Sequence, residues 1–166
     1  MIPENTCCFT GPRPQRLPMG GDGCCEEVIE LKNDLKTEII NAYNDGYRNF
    51  MSGMAEGFDL FAAETVIALK EEYDDIKLIA VFPAPECARN HSYDICEIIE
   101  EILLKADMII NVQNSYSYGC ELKRNIYMVD NSMRIIGYFN DCSPGTAHCW
   151  KYAQSKGIEM RNICKE

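Results

Sequence analysis

The chain has 166 residues, of which 46% are hydrophobic and 25% charged, and its 16 basic and 26 acidic side chains give a formal charge of −10. These values are typical of one soluble globular domain. A chain of this length buries enough surface to form a stable hydrophobic core without disulfides or metals. The negative charge argues against extended nucleic acid and against a membrane surface as partners, because both attract clustered lysine and arginine. Any positive charge that a ligand needs must therefore be local.

Ten cysteines are present, but the N-terminal residues lack the basic start and apolar run of a signal peptide, and we expect a cytoplasmic protein with reduced thiols. No C-x-x-C pair occurs, and only two histidines are available, so no metal site is predicted. The cysteines are expected to serve as small buried apolar residues. No segment approaches the roughly 20 apolar residues of a membrane-spanning helix.

Short apolar runs and amphipathic stretches alternate along the chain. The apolar runs predict six strands, at residues 7–10, 47–51, 77–82, 108–112, 134–139 and 158–163. Apolar spacing of three to four residues predicts helices at 28–42, 60–73, 95–103 and 122–129, and a last one from Ser143-Pro144 to Gly157. This order predicts a single α/β domain over residues 1–166, a Rossmann-like three-layer α/β/α sandwich with a mostly parallel sheet covered on both faces.

In such a fold, ligands bind beyond the carboxyl ends of the strands, so the loops that follow the strands hold the candidate site. The first loop, residues 10–16, contributes Thr10, Gly11, Arg13 and Arg16. Gly11 allows close approach of the backbone to a ligand, and arginine suits phosphate or carboxylate. The alternative is a rigid surface loop whose arginines pair with some of the acidic side chains.

The second loop, residues 52–59, contributes Ser52, Gly53, Glu56, Gly57 and Asp59. Its small residues and its backbone N–H groups at a helix start resemble a phosphate-cradling turn, although it is neither a G-x-G-x-x-G nor a Walker motif. The two carboxylates are expected to bind a ribose hydroxyl, to cap the helix or to face solvent. The alternative is that the glycines serve only helix–strand packing.

The third loop, residues 141–146, contributes Gly145 and Thr146 at the start of the last helix, where N–H groups favour an anion. Simple helix capping is the alternative. Arg124 and Asn125, in the preceding helix, reach the same crevice if their face of the helix turns toward it, and are otherwise solvated.

Nucleophilic catalysis has little support in the sequence. His148 and Cys149 are adjacent, so on a helix their side chains point about 100° apart. His91 is interpreted as a helix-start residue rather than as a ligand contact. No catalytic residue is therefore assigned.

Together these loops resemble the YpsA-like (DUF1273) family of the SLOG superfamily, whose wider membership includes the lysine-decarboxylase-like LOG proteins and DprA. The matching segments are residues 9–14, 52–59, 62–64, 124–125, 128–130, 144–146 and 152–153. The resemblance implies a Rossmann-like domain that binds nucleotides or nucleotide-derived molecules, with glycine turns facing phosphate and ribose.

The resemblance does not extend to the chemistry of the LOG proteins, whose pattern is G-G-x-G-T-x-x-E with a catalytic glutamate. In this chain the first two glycines are replaced, and Cys149 occupies the glutamate position. A neutral thiol neither activates a nucleophile nor stabilises oxocarbenium charge as a carboxylate does. DprA-like binding of single-stranded DNA requires a basic groove, which a chain at −10 is not expected to form.

The leading interpretation is a sensor or regulatory domain that binds a nucleotide or a nucleotide-derived, phosphate-bearing molecule, with no other cofactor. One alternative is a hydrolase for a nucleotide N-glycosidic or phosphate bond, using Glu56, Asp59 or Glu64 in place of the missing glutamate. Another is an adaptor that binds protein partners through its acidic surface. Analogy with relatives suggests a homodimer, and the identity of the ligand stays open.

Overall fold

The structure, a computed structural model, describes residues 3–165. Its strands are β1 (Thr6–Thr10), β2 (Asn49–Ser52), β3 (Lys77–Phe82), β4 (Met108–Asn111), β5 (Arg134–Gly137) and β6 (Glu159–Asn162). Its helices are α1 (Glu26–Asn44), α2 (Phe58–Leu69), α3 (Tyr93–Lys105), α4 (Cys120–Asp130) and α5 (Pro144–Lys156). Every predicted strand and helix is present, with boundaries that differ by a few residues.

The six strands form one sheet in the order β4-β3-β2-β1-β5-β6, and every pair of neighbours is parallel. In the middle of the sheet, Cys8 lies in register with Met51 on one side and Ile135 on the other. The predicted Rossmann-like α/β fold is confirmed, and within residues 3–165 the sheet is entirely parallel rather than mostly so.

Two apolar cores cover the two faces of this sheet. Because neighbouring side chains on a strand point to opposite faces, Cys7 and Phe9 join the core beneath α1, α2 and α3, while Cys8 joins the core beneath α4 and α5. Leu35 of α1 and Met128 of α4 are representative helix residues of the two cores, and both are buried. The helices are thus divided three to two between the faces, as right-handed crossovers require.

The edges of the sheet depart from the prediction that every strand is covered on both faces. Met108 and Ile109 of β4 are 45% and 50% exposed. The strand lies at an edge, and its apolar residues resemble those of the central strands in sequence but not in burial. The cysteines also differ from expectation, since only Cys7, Cys8, Cys120 and Cys149 of the ten free thiols are buried.

Two further properties concern the described residues as a whole. No helix within residues 3–165 has the length and apolar character needed to cross a membrane. In the same range, no three His, Cys, Asp or Glu side chains are grouped as metal ligands would be.

The carboxyl ends of β1 and β5 mark the point where the order of the sheet reverses. From β1 the chain continues through α1 to β2, whereas from the neighbouring β5 it continues through α5 to β6 on the other side. Connections that leave neighbouring strands in opposite directions open a crevice between them. Helix α4, which connects β4 to β5, also lines this crevice.

Candidate functional site

Two connected cavities lie at the carboxyl ends of the central strands. The larger, about 290 Å³, lies between the first loop, α4 and the start of α5, and we call it the large lobe. The smaller, about 150 Å³, lies toward the ends of β2 and β3, and we call it the small lobe. Four residues line both lobes: Arg13, Ala55, Glu121 and Arg124. The two lobes therefore form one crevice.

The first and second loops are packed tightly together by glycine. A Cβ on Gly11 would lie 2.2 Å from Cγ of Phe58, and a Cβ on Gly57, whose φ is +101°, would lie 2.7 Å from the carbonyl oxygen of Pro12. The N–H of Phe58 donates to that same carbonyl oxygen at 3.2 Å. Packing of the two loops thus accounts for glycine at both positions; for the second loop, a packing role of its glycines was the alternative to a ligand-binding role.

The second loop is closed by hydrogen bonds of its own. Ser52 Oγ donates to the carbonyl oxygen of Asp59 at 2.7 Å and accepts from the N–H of Met54 at 3.2 Å. The N–H of Ala55 donates to Asp59 Oδ2 at 3.4 Å. Several N–H groups that the sequence offered as a phosphate cradle are therefore occupied by the protein itself, and Ser52 is buried as part of the framework.

Arg124, in α4, is only 5% exposed although its side chain is charged. It shares a face of α4 with Met128, one turn further on, whose side chain packs in the core. Its Nη1 donates to the carbonyl oxygen of Gly53, and its Nε donates to Asn125 Oδ1 at 2.9 Å. Within residues 3–165 its Nη2 donates no hydrogen bond, and Arg124 forms no contact ion pair.

Gly53 separates two buried charges. A Cβ on Gly53 would lie 2.8 Å from both Arg124 Nη1 and Asp59 Oδ2. Burial raises the pKa of Asp59 despite the attraction of Arg124, and burial lowers the pKa of Arg124 despite the attraction of Asp59. Because desolvation is the largest cause of both shifts, neither charge fully compensates the other.

The start of α5 forms the opposite wall of the large lobe. Gly145 and Thr146 line it, and their N–H groups donate no hydrogen bond to the described part of the chain. Thr146 Oγ1 donates to Ser143 Oγ at 3.2 Å, and apart from the adjoining residues and backbone of α5 no atom lies within 4 Å of a Cβ built on Gly145. This helix start therefore keeps free donors and open space, which the second loop lacks.

Two exposed arginines of the first loop complete the large lobe. Arg16 Nη1 donates to the carbonyl oxygen of Cys142, which connects the first loop to the third. Arg13 lines both lobes and makes no ion pair within residues 3–165. The alternative in which these arginines pair with surface carboxylates is therefore not what the structure contains.

The structure gathers most of the predicted site residues at this crevice. The large lobe is lined by Thr10, Gly11, Arg13, Arg16, Asp59, Arg124, Asn125, Gly145 and Thr146, and the small lobe by Gly53 with Arg13 and Arg124. Ser52, Glu56 and Gly57 line neither lobe. Glu64 lies away from the crevice, beside a cavity between α2 and α3.

Sequence reasoning missed several residues of the crevice. Glu121 precedes Arg124 by one helical turn, and this spacing would have identified it. Tyr116, Asn90 and His91 line the small lobe from loops that carry no glycine pattern. His91 precedes α3, as interpreted, but it also contacts the crevice, and its Nε2 lies 3.0 Å from the carbonyl oxygen of Cys87.

Cys149 is 1% exposed and faces the core beneath α4 and α5. Burial raises its pKa to about 11, so the side chain is a neutral thiol near pH 7. It does not line either lobe. The residue at the position of the LOG glutamate is therefore a core residue here.

A larger cavity, about 620 Å³, lies between α2 and α3, away from the strand ends. Its charged lining consists of Glu64, Glu71, Glu101, Lys70 and Lys105. Charges of both signs line this groove, and none of these charged side chains is buried. Size alone therefore does not make it the better candidate, and the crevice at the strand ends remains the candidate site.

The chain is similar to a known protein family and to solved structures. The family model YpsA, described as the YspA SLOG family, matches residues 7–163. The SPbeta prophage-derived protein YoqJ of Bacillus subtilis strain 168 is 32% identical over 142 residues, which cover 76% of this chain and 82% of YoqJ. A UPF0398 protein of Bacillus cereus strain ATCC 14579 is 27% identical over 134 residues, covering 80% of this chain and 73% of that protein.

Solved structures with the same fold include DNA processing protein A (DprA) from Streptococcus pneumoniae, with a TM-score of 0.60 and 15% identity. The match covers 96% of this chain but only 49% of DprA, so this chain spans about half of that protein's length. DprA from Helicobacter pylori, described for its single-stranded DNA binding mode, gives a TM-score of 0.58 at 19% identity, covering 93% and 63% of the two chains. TM1055 gives 0.56 at 11% identity, covering 94% and 72%. At these identities the likeness concerns the fold.

Proposed function

The chain belongs to the YpsA SLOG family, and from that premise we propose that it binds a nucleotide or a nucleotide-derived, phosphate-bearing molecule in the crevice, as a sensor or regulatory domain. The observation that carries the proposal is Arg124. Its guanidinium is buried between the two lobes, has no contact ion pair, and keeps Nη2 without a hydrogen bond to the described residues. Since burying an uncompensated charge is costly, an anionic ligand would supply the missing partner.

The phosphate is assigned to the large lobe. Free N–H groups at the start of α5 face Arg13, Arg16 and Arg124 across this cavity. A helix N-terminus and arginine side chains both favour a phosphate group, and arginine binds it with two parallel hydrogen bonds. The start of α2 is the weaker candidate, because Pro12 and Asp59 already accept hydrogen bonds from that loop.

The lining also contains two carboxylates, Asp59 and Glu121. Three arginines against two carboxylates leave only a small local excess of positive charge. This mixture suits a ligand that carries hydroxyl groups as well as phosphate, because carboxylates accept hydrogen bonds from a ribose diol. It is less suited to inorganic phosphate or to a polyanion of phosphates alone.

Hydrolysis of a nucleotide is a second candidate, and one observation favours it. Of the three carboxylates that the sequence offered for this chemistry, only Asp59 lines the crevice. Its raised pKa extends the range over which it holds a proton and so suits a general acid. This reaction predicts base or phosphate release from nucleoside monophosphates that the Asp59→Asn variant lacks, while binding of the nucleotide persists.

Single-stranded DNA must also be included in the test. The exclusion of extended nucleic acid rested on net charge, and the shared fold with DprA weakens it. The probe is an oligothymidylate, which is single-stranded. If it binds along its phosphate backbone, its affinity should weaken steeply as salt is added.

The test is calorimetry at low salt with nucleotides, dinucleotides, nucleotide sugars and the oligothymidylate. We expect micromolar binding of at least one small ligand, weakened about ten-fold or more in Arg124→Lys, which keeps the charge but loses the planar fork. Lys123→Ala removes a neighbouring, exposed charge of α4 and is expected to bind normally. No binding below millimolar, or equal binding by both variants, would refute the proposal.

A further inference from the structure

The small lobe has a wall that the phosphate site does not need. Tyr116, in the loop between β4 and α4, is 54% exposed and lines both the small lobe and a neighbouring cavity of about 410 Å³. Phe82 and Met54, both buried, line the same lobe. The crevice thus has an apolar and aromatic compartment beside its charged one.

Tyr116 is held in place through its backbone. Its N–H donates to Glu86 Oε2 at 2.6 Å, and the negative charge of nearby Glu121 raises the pKa of the tyrosine. Gln113 Nε2 stiffens the same loop by donating to the carbonyl oxygen of Ser115 at 2.8 Å and to Ser117 Oγ at 2.7 Å. An exposed aromatic ring on a loop that is already held by hydrogen bonds offers a flat surface with little cost of ordering the loop on binding.

The polar edge of the small lobe has unused hydrogen-bonding groups. The side-chain amide of Asn90 makes no hydrogen bond with the described residues, so both its donor and its acceptor are available. His91 uses Nε2 toward the carbonyl oxygen of Cys87 and keeps Nδ1. An amide beside an aromatic surface matches the donor and acceptor pattern along the edge of a nucleobase.

We propose that the small lobe is a nucleobase subsite, in which the base stacks on Tyr116 and presents its edge to Asn90 and His91. This inference rests on the proposed function, and it adds the orientation of the bound nucleotide in the crevice. The phosphate lies in the large lobe by α5, the ribose lies between the lobes beside Glu121, and the base lies toward the ends of β2 and β3. The ligand class is then a nucleotide with an aromatic base, and a plain sugar phosphate fills only part of the crevice.

The test compares the wild-type chain with Tyr116→Ala, and uses AMP, GMP, CMP, UMP and ribose 5-phosphate as probes. Tyr118→Ala is the matched control, because Tyr118 is on the same loop, is fully exposed and lines neither lobe. Calorimetry measures affinity, and saturation-transfer difference NMR detects contact with base protons even for a millimolar ligand. Arg124→Lys reports on the phosphate site in the same experiment.

We expect at least one nucleotide to bind about ten-fold tighter than ribose 5-phosphate, a gain within the range known for base stacking on aromatic side chains. Tyr116→Ala should remove this gain and the saturation transfer to the base, with ribose 5-phosphate affinity and the Tyr118→Ala control unchanged. If the base adds nothing, or adds affinity that Tyr116→Ala does not reduce, the subsite is wrong while Arg124-dependent binding of ribose 5-phosphate still upholds the proposed function. If none of these probes binds, the subsite is wrong, and the proposed function fails as well only if the dinucleotides and nucleotide sugars also do not bind.

Discussion

Two arginines are almost fully buried, one at each end of the sheet, and they differ in what surrounds them. Arg134, 3% exposed, begins β5 at the amino end and donates through Nη2 to Asp45 at 2.8 Å and to Glu159 at 2.7 Å. Arg124, 5% exposed, lies at the carboxyl end and donates to one carbonyl and one amide oxygen. The two carboxylates raise the pKa of Arg134 despite its burial, whereas burial lowers the pKa of Arg124.

We interpret this difference as the one between a structural arginine and an arginine that, under the proposed function, binds the ligand. At the amino end the fold supplies negative charge, and even there Nη1 of Arg134 makes no hydrogen bond. At the carboxyl end the nearby carboxylate, Asp59, makes no contact ion pair with Arg124 and has a raised pKa. If the contrast is correct, substitutions at the two ends must affect different properties, stability at one and binding at the other.

The largest effect is expected from Arg134→Met. The substitution keeps much of the packing of the side chain but removes both ion pairs, and we expect the free energy of unfolding to fall by about 2–3 kcal/mol, less than the roughly 3–5 kcal/mol for breaking a fully buried pair. The loss is smaller here because Asp45 and Glu159 are 52% and 41% exposed and regain water. Urea unfolding measures the change.

The matched control for this substitution is Arg161→Met, because Arg161 pairs with the same Glu159 but is 39% exposed. An exposed pair contributes at most about 1 kcal/mol, so this variant should unfold nearly as the wild type does. Similar losses in the two variants would show that burial of Arg134 has no special role, and the comparison would lose its structural half.

A smaller change in stability is expected from Arg124→Met. Losing the guanidinium leaves the carbonyl oxygen of Gly53 without its donor, but it also removes the cost of burying a poorly compensated charge. These terms oppose each other, and we expect the free energy of unfolding to change by about 1 kcal/mol or less, while ligand affinity falls at least about ten-fold. Urea unfolding and calorimetry on the same preparation test both halves, and a loss as large as that of Arg134→Met would make Arg124 a structural residue.

The sequence was sufficient for the fold and for the loops at the strand ends that line most of the crevice. Alternating apolar runs and amphipathic stretches predicted all six strands and all five helices, because burial of both faces of a parallel sheet leaves a strong pattern. The same patterns predicted the strand β4 but not its exposure to solvent, because this edge strand has the apolar composition of a central strand.

The remaining parts of the site depend on contacts that no local pattern encodes. Whether Arg124 faces the crevice or solvent depends on how α4 is turned about its axis, and the burial of Met128 on the same face decides it. Gly11 and Gly57 look like ligand-binding glycines in sequence, yet Phe58 and Pro12 from the facing loops explain them. The small lobe depends on Tyr116 reaching Glu86 across 30 residues of sequence, which the chain alone does not reveal.

The carboxylate beside Arg124 gives a pH-dependent test of the same contrast. Because the native pKa of Asp59 is raised above its ordinary value of 3.8, the native state holds this proton to a higher pH than the unfolded state does. Between 3.8 and the raised value, this group therefore makes the free energy of unfolding fall as pH increases. Asp59→Asn lacks this term, and we expect its stability relative to the wild type to improve from low pH toward neutral, in urea titrations at several pH values. A relative stability that declines over that range would mean that Arg124 neutralises Asp59 as Asp45 and Glu159 neutralise Arg134.

The smallest effect on stability, and the cleanest separation of the two properties, is expected from Gly145→Ala. Apart from the adjoining residues and backbone of α5, no atom lies within 4 Å of a Cβ at this position, and the φ of Gly145 is not positive, so nothing in the packing requires glycine. We expect the free energy of unfolding to change by about 0.5 kcal/mol or less, since alanine is at least as good a helix former. Gly145 lines the large lobe, where we propose that the phosphate binds, and if the added methyl group narrows this cavity a few-fold loss of nucleotide affinity by calorimetry should follow. Gly11→Ala is the opposite control, because its Cβ would overlap the Phe58 ring and should cost about 1–3 kcal/mol of stability. Unchanged affinity in Gly145→Ala would contradict the proposed phosphate position at the start of α5. The phosphate would then have to bind at Arg124, on the opposite wall of the large lobe.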